Sequence, residues 1–419
     1  MNGLEMKVAC RYSGGQWLLL FATLAGCSAD QTQGRPSGED GGPAQEQSPT
    51  VAADGVYHVY PGQEIQSALD AAAGDDAHQT VRVHAGSYRP SSPGQAMIWF
   101  NARHDGITLE AVGDVLLTAA NEELADASSA SYPAIVNHVI YFGDGIYRST
   151  VVEGFTISGA NGFVTKSDKR GPIETAEGLE KGLFYYLDGG AIKIVGRSYP
   201  TLRRVIIRDN ITSLCGGGVS IEHQGNRGSA AYFKDCIFRN NRCPATGPAI
   251  DVLSGSSVII ENCLFAGNVG NTGMSETLKK YGLSHNWMHG SGALTVFPRS
   301  SAQVRNCTFV NNWNGVDDHG SGSTYENSIF WQNSASDGSR PGGPYELDIV
   351  DPRTVRGCYA GGTQIDLRGN IDATANRFDA PDPQFDEEYR PRAVDYEGVG
   401  YRPVGTKTTK EPDDALHDE

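Results

Sequence analysis

One phrase recurs through the middle of the chain: a small residue or cysteine, two apolar positions, then one or two asparagines. It reads Val205-Ile206-Ile207-Arg208-Asp209-Asn210, then Cys236-Ile237-Phe238-Arg239-Asn240-Asn241, then Cys263-Leu264-Phe265-Ala266-Gly267-Asn268. It returns as Cys307-Thr308-Phe309-Val310-Asn311-Asn312 and Ser328-Ile329-Phe330-Trp331-Gln332-Asn333. The starting positions 205, 236, 263, 307 and 328 are separated by 31, 27, 44 and 21 residues. A second phrase interleaves: Gly189-Gly190-Ala191-Ile192, Gly217-Gly218-Val219, Gly247-Pro248-Ala249-Ile250 and Ser291-Gly292-Ala293-Leu294. Glycine serves where the backbone turns with positive φ, and alternating apolar residues then start a short strand. A unit this short cannot close a core alone, so copies must stack and share one interior.

These repeats predict an all-β fold, a right-handed parallel β-helix. The asparagine after each strand suits a left-handed turn and can bond to the asparagine of the next coil. Cys236, Cys263 and Cys307, at matching positions, predict an interior ladder of small thiols. A leucine-rich repeat is excluded by the missing leucine pattern, and a propeller by the irregular intervals. Glycine, 52 of 419 residues or about 12% against a usual ~7%, shows no Gly-X-Y period, so collagen is out and the excess belongs to turns. The 34 Lys and Arg face 50 Asp and Glu, a formal net charge of −16. No cationic excess is available to displace phosphate counterions or to dock on an anionic membrane, so no nucleic-acid partner is expected.

The run Val152-Glu153-Gly154-Phe155-Thr156-Ile157-Ser158-Gly159, the Gly-Gly phrases and the Cys-x-Phe-x-Asn-Asn phrases resemble bacterial right-handed β-helix proteins of the pectin-lyase-like superfamily. The opening is similar too: Tyr57-His58-Val59-Tyr60-Pro61-Gly62, a helical run Ile65–Ala72, then Val81-Arg82-Val83-His84-Ala85-Gly86-Ser87-Tyr88. Asp382-Pro383-Gln384-Phe385-Asp386 resembles the final coil of that group. The resemblance implies a short N-terminal helix plugging the first coil, with Ile65, Ala68, Leu69 and Ala72 on its buried stripe. It places the β-helix at 54–390 and leaves 391–419 as a C-terminal coil and acidic tail. It says little about activity, since the superfamily holds lyases, hydrolases and adhesins.

Lys7 and Arg11 precede the apolar run Trp17–Ala25, which falls short of the ~20 residues that span a bilayer but fits a secretory signal. It ends in Leu24-Ala25-Gly26-Cys27, which resembles a bacterial lipobox. The expectation is a lipoprotein signal peptide at 1–27 with Cys27 lipidated, the chain exported to the bacterial cell envelope. Ser28 stands where an inner-membrane retention Asp would be, which favours an outer-membrane anchor; the lipid would be the only membrane contact. An ordinary cleavage site with an incidental cysteine is the alternative. Residues 28–53, rich in Gly, Pro, Gln and Ser, read as a disordered tether.

Two long intervals, 161–188 and 270–290, enter the repeat between the Asn turn and the Gly-Gly strand. Insertions at one point of stacked coils lie on one face and can wall a groove. The first carries Lys166, Lys169, Arg170, Lys181, Tyr185 and Tyr186, and the second Lys279, Lys280, Tyr281, His285, Trp287 and His289. Lys166, Lys169, Arg170, Lys181, Tyr185, Tyr186, Lys279 and Trp287 are the substrate-binding candidates; solvated loops are the plainer alternative. Lys280, Tyr281 and His285 carry the groups a lyase base and its cation would need. His285 and His289 have metal-ligand spacing, but position 286 is Asn where a zincin carries Glu. Asp317-Asp318-His319 offers paired carboxylates for acid–base work or for calcium, and otherwise an acidic turn. It bears some similarity to the Asp pairs of polygalacturonase-like β-helices, whose other motifs are missing. Cys215 and Cys243, ten and seven residues after neighbouring phrases begin, are a disulfide candidate.

The functional expectation is a surface-anchored protein that binds or processes a carbohydrate, an acidic polysaccharide or other cell-envelope glycan, in the loop-walled groove. The competing class is a non-catalytic adhesin or envelope structural protein. Catalysis is undecided; an enzyme of this kind would be a polysaccharide lyase or a glycoside hydrolase. No cofactor is required, and calcium is compatible with the acidic pair.

Overall fold

The computed structural model describes residues 49–162, 164, 188–226, 228–272, 292–334, 344–362, 367–369 and 371–404. Within them every coil lays down strands in three columns. Seventeen described strands form one sheet whose pairings run in two columns, joined through the long strands Thr80–Tyr88 and Thr108–Thr118. Nine more form a second sheet, from Gly94–Phe100 through Val136–Phe142, Ile192–Val195, Val219–Glu222, Ile250–Val252, Gly292–Val296, Asn314–Asp318 and Leu347–Ile349 to Leu367–Gly369. All strand-to-strand pairings are parallel, as the solenoid requires.

The repeated phrase explains the stacking position by position. Cys236, Cys263 and Cys307 are fully buried, and the amides of Cys236 and Cys263 each reach the next thiol at 3.4 Å. Ser328 continues this ladder, accepting from the Cys307 amide at 3.1 Å. Two residues on, Phe238, Phe265, Phe309 and Phe330 stack with ring centroids 4.7, 4.2 and 5.0 Å apart.

The asparagine pair divides its work, where one residue had been expected to do both jobs. The first position takes the left-handed turn, with φ between 54° and 67° at Asp209, Asn240, Gly267, Asn311 and Gln332. The second is buried and builds a side-chain ladder through Asn210, Asn241, Asn268, Asn312 and Asn333, in which each of the first four donates to the next amide oxygen at 2.8–3.1 Å. The last donates to the Glu346 carboxylate, which ends the ladder.

The helix Ile65–Ala72 buries Ile65, Ala68, Leu69 and Ala72 in the main core and closes the first coil. Beyond the last coil the chain returns along the outside of the second column. Tyr396, Val399 and Tyr401 pack on Leu264, Val310, Ile329 and Trp331, and the strap is tied to Asn327, Thr308 and Asn262 by backbone amides at 2.7–2.9 Å. The described part of 391–419 is therefore docked structure.

Candidate functional site

Side chains alternate along a strand, so a polar residue between two core residues must point outward. In the nine-stranded sheet Ile192 and Ile194 flank Lys193, Val219 and Ile221 flank Ser220, Ile250 and Val252 flank Asp251, and Leu294 and Val296 flank Thr295; the flanking residues all sit in the core. The parallel register sets the outward residues in one column, Lys193, Ser220, Asp251, Thr295, Asp317 and Asp348, one per coil. Rungs of such a sheet are ~4.8 Å apart. The column is buried: Lys193, Ser220, Asp251 and Asp317 are 0% exposed and Asp348 4%.

At one end Lys193 donates to Ser220 Oγ at 3.1 Å and to Glu222 at 3.0 Å, with Asp188 at 3.8 Å. Burial works against the ammonium, but Glu222 and Asp188 lift its pKa above that of an ordinary lysine. The carboxylates outnumber it. Burial pushes Asp188 well above the carboxylate range and Asp251 up to about 7.

At the other end Asp317 Oδ1 lies 2.8 Å from His319 Nε2, and Tyr345 donates its hydroxyl to Asp317 Oδ2 at 2.9 Å. One ligand atom each from Asp317, His319 and Asp348 fall within 4.8 Å of one another. The bond to Asp317 raises the His319 pKa, against the desolvation of the ring. His319 keeps 26% of its side chain exposed, so this end opens to solvent.

The expected Asp317–Asp318 pair is not a pair. Successive residues of a strand face opposite ways, and Asp318 aligns with the core residues Val296 and Ile349. Its carboxylate accepts from Tyr325 Oη and the Gly320 amide, both at 2.7 Å, and burial raises its pKa. Asp318 is a buried structural acid, and the partner of Asp317 is Asp348, one coil away.

The outer face of the first column differs. There charges compensate: Arg82 meets Glu110 at 2.7 Å, Arg305 meets Glu261 at 2.7 Å, Arg356 meets Glu326 at 2.8 Å, and Arg203 and Arg204 close on Glu153. Cations already paired in this way have little left to recruit a polyanion.

The model for a right handed beta helix region matches residues 184–378, the span that carries the repeats and most of the polar column. The chain is a right-handed parallel β-helix protein. No curated protein and no solved structure gives a match.

In this β-helix protein the long intervals all open at one corner. Thr156–Ser158 precedes the first and Leu264–Ala266 the second, both in the second column, and the nine-stranded sheet follows. Lys166, Lys169, Arg170, Lys181, Tyr185, Tyr186, Lys279, Lys280, Tyr281, His285 and Trp287 lie outside the described residues, as does Cys27. Cys215 and Cys243 are free buried thiols, with Cys243 donating to the Thr246 carbonyl at 3.2 Å. The bridge Ile211↔Arg242 sets Cys243 level with Thr212, not with Cys215, so the two cysteines do not face each other. Lys193, Ser220, Glu222, Asp251, Thr295 and Asp348 were not among the sequence candidates. For Lys193, Ser220, Asp251, Thr295 and Asp348 the signal is a polar residue between two aliphatic ones, as in Ile192-Lys193-Ile194; Glu222 has no such signal.

Proposed function

We propose that this is an exported, lipid-anchored envelope protein whose nine-stranded sheet carries a surface that binds or processes a glycan. The observation behind this reading is the outward column, which sets polar side chains on successive coils from Lys193 to Asp348 and opens to solvent at His319. Among the described residues the column is richer in carboxylates than in cations, which favours a neutral glycan over a uronate polymer. The same balance favours hydrolysis over elimination, since a lyase must neutralise the substrate carboxylate with positive charge. Burial of Lys193, Asp251 and Asp317 supports the second reading, a non-catalytic adhesin or structural protein in which the column serves the fold.

A panel of neutral and acidic polysaccharides, followed by affinity electrophoresis, reducing ends and unsaturated-product absorbance, separates these. The expected result is retention by a neutral glycan, weakened at least tenfold in Asp317→Asn and unchanged in Glu326→Gln on the charge-compensated face. Silence across the panel would remove the carbohydrate reading, and loss in Glu326→Gln alone would move the surface to the other sheet.

The anchor is the second part of the proposal. Palmitate labelling in a bacterial host is expected for the full chain and absent in Cys27→Ala; equal labelling of both refutes it.

A further inference from the structure

We infer that Asp317, His319 and Asp348 form a binding site for a first-row divalent cation. The three come together through the solenoid itself. Asp317 and Asp348 are direct partners in register on neighbouring coils. His319 follows Asp317 by two residues, the spacing that returns a side chain to the same face, and its amide bonds to the Val296 carbonyl at 2.8 Å, which fixes the strand end. One donor atom from each residue lies within 4.8 Å of the others, and His319 Nε2 and Asp317 Oδ1 are 2.8 Å apart.

A set of two carboxylates and one imidazole suits Mn²⁺, Co²⁺ or Zn²⁺ better than Ca²⁺, which prefers six to eight oxygens. The Tyr345 hydroxyl on Asp317 Oδ2 orients that carboxylate from outside, as supporting residues around metal ligands do, leaving Oδ1 toward the histidine. The partly exposed His319 gives the ion a path in and leaves coordination positions for water.

The site shares Asp317 with the glycan reading, but the test reads metal and not sugar, so that either can fail alone. Untagged full-length chain, stripped with EDTA, is titrated with Zn²⁺ and Mn²⁺ by calorimetry and with Co²⁺ by visible absorption. One ion per chain is expected, with Ca²⁺ at least tenfold weaker. His319→Gln, Asp348→Asn and Tyr345→Phe should each weaken Zn²⁺ binding about 10- to 100-fold, and His319→Gln should alter the Co²⁺ spectrum. Circular dichroism and melting in EDTA confirm that each variant is folded; His319→Gln, at a partly exposed position, is the variant that keeps the test decisive. Absence of binding by all three ions, or binding untouched by His319→Gln and Asp348→Asn, overturns the inference.

Discussion

Asn268→Ala is expected to lower the unfolding free energy by about 3 kcal/mol, although it removes only a few atoms. Its amide oxygen accepts from the backbone and side-chain nitrogens of Asn241, both at 3.0 Å, and its nitrogen donates to Asn312 Oδ1 and the Phe238 carbonyl, both at 2.9 Å. Alanine leaves the buried Asn241 backbone N–H without its acceptor and shortens the hydrogen bonding of three other groups. An orphaned buried polar group costs about 1–3 kcal/mol, and a network loses more than one pair. The double variant Asn241→Ala/Asn268→Ala should cost clearly less than the sum of the singles, because both break the same link. One residue before the ladder the rule reverses. Asn240 sits at φ 54°, and Asn240→Gly should be close to neutral, since glycine meets no steric penalty there. Denaturant unfolding followed by circular dichroism measures all of these. A loss below about 1 kcal/mol for Asn268→Ala would show that the ladder is not a stabilising network.

Lys193→Met is expected to be worse, at about 3–5 kcal/mol at pH 8, because it strands carboxylates in the protein interior. Glu222 and Asp188 lose the ammonium now at 3.0 and 3.8 Å. The pH dependence gives the test its sign. Asp251 has its folded pKa raised to about 7 from 3.8, so between those values the folded chain holds a proton that the unfolded chain has released. The contribution is fully present below pH ~4 and is lost as pH rises through 7, by up to about 4 kcal/mol for this one group. Lys193 lowers the pKa of both Asp251 and Asp188. Without it both rise further, and the loss extends to higher pH. The variant should therefore lie nearer to wild type at pH 5 than at pH 8, and melting curves at the two values compare them directly. Equal destabilisation at both would mean that the cost is lost packing and not stranded charge.

The interior of the fold was legible because it repeats. A cysteine, a phenylalanine and an asparagine at fixed offsets can stack only if coils superimpose, and the ladders through Cys263, Phe265 and Asn268 follow that pattern. The site was legible only in part. Asp317 stood out beside Asp318 as adjacent acids, but adjacency along a strand separates two side chains instead of joining them. Its real neighbour, Asp348, is 31 residues away and is found only once the register is known. Lys193, Ser220 and Asp251 hid in plain strand sequence, since a polar residue between aliphatic ones reads first as the solvent face of an ordinary sheet. The returning strap has no period at all. Tyr396, Val399 and Tyr401 find their positions through a long-range fit to Leu264 and Trp331 that no local pattern announces.

The asparagine ladder links residues 27, 44 and 21 positions apart with nearly the same bond, 3.0, 2.9 and 2.8 Å. The core thus takes no notice of how much chain passes between one rung and the next. Length can be added or removed at that single corner while every interior contact is kept, and loop-closure entropy grows only slowly with length. Such a scaffold keeps its interior separate from its periphery: the rungs stay the same whatever length of chain the corner beside the polar column carries.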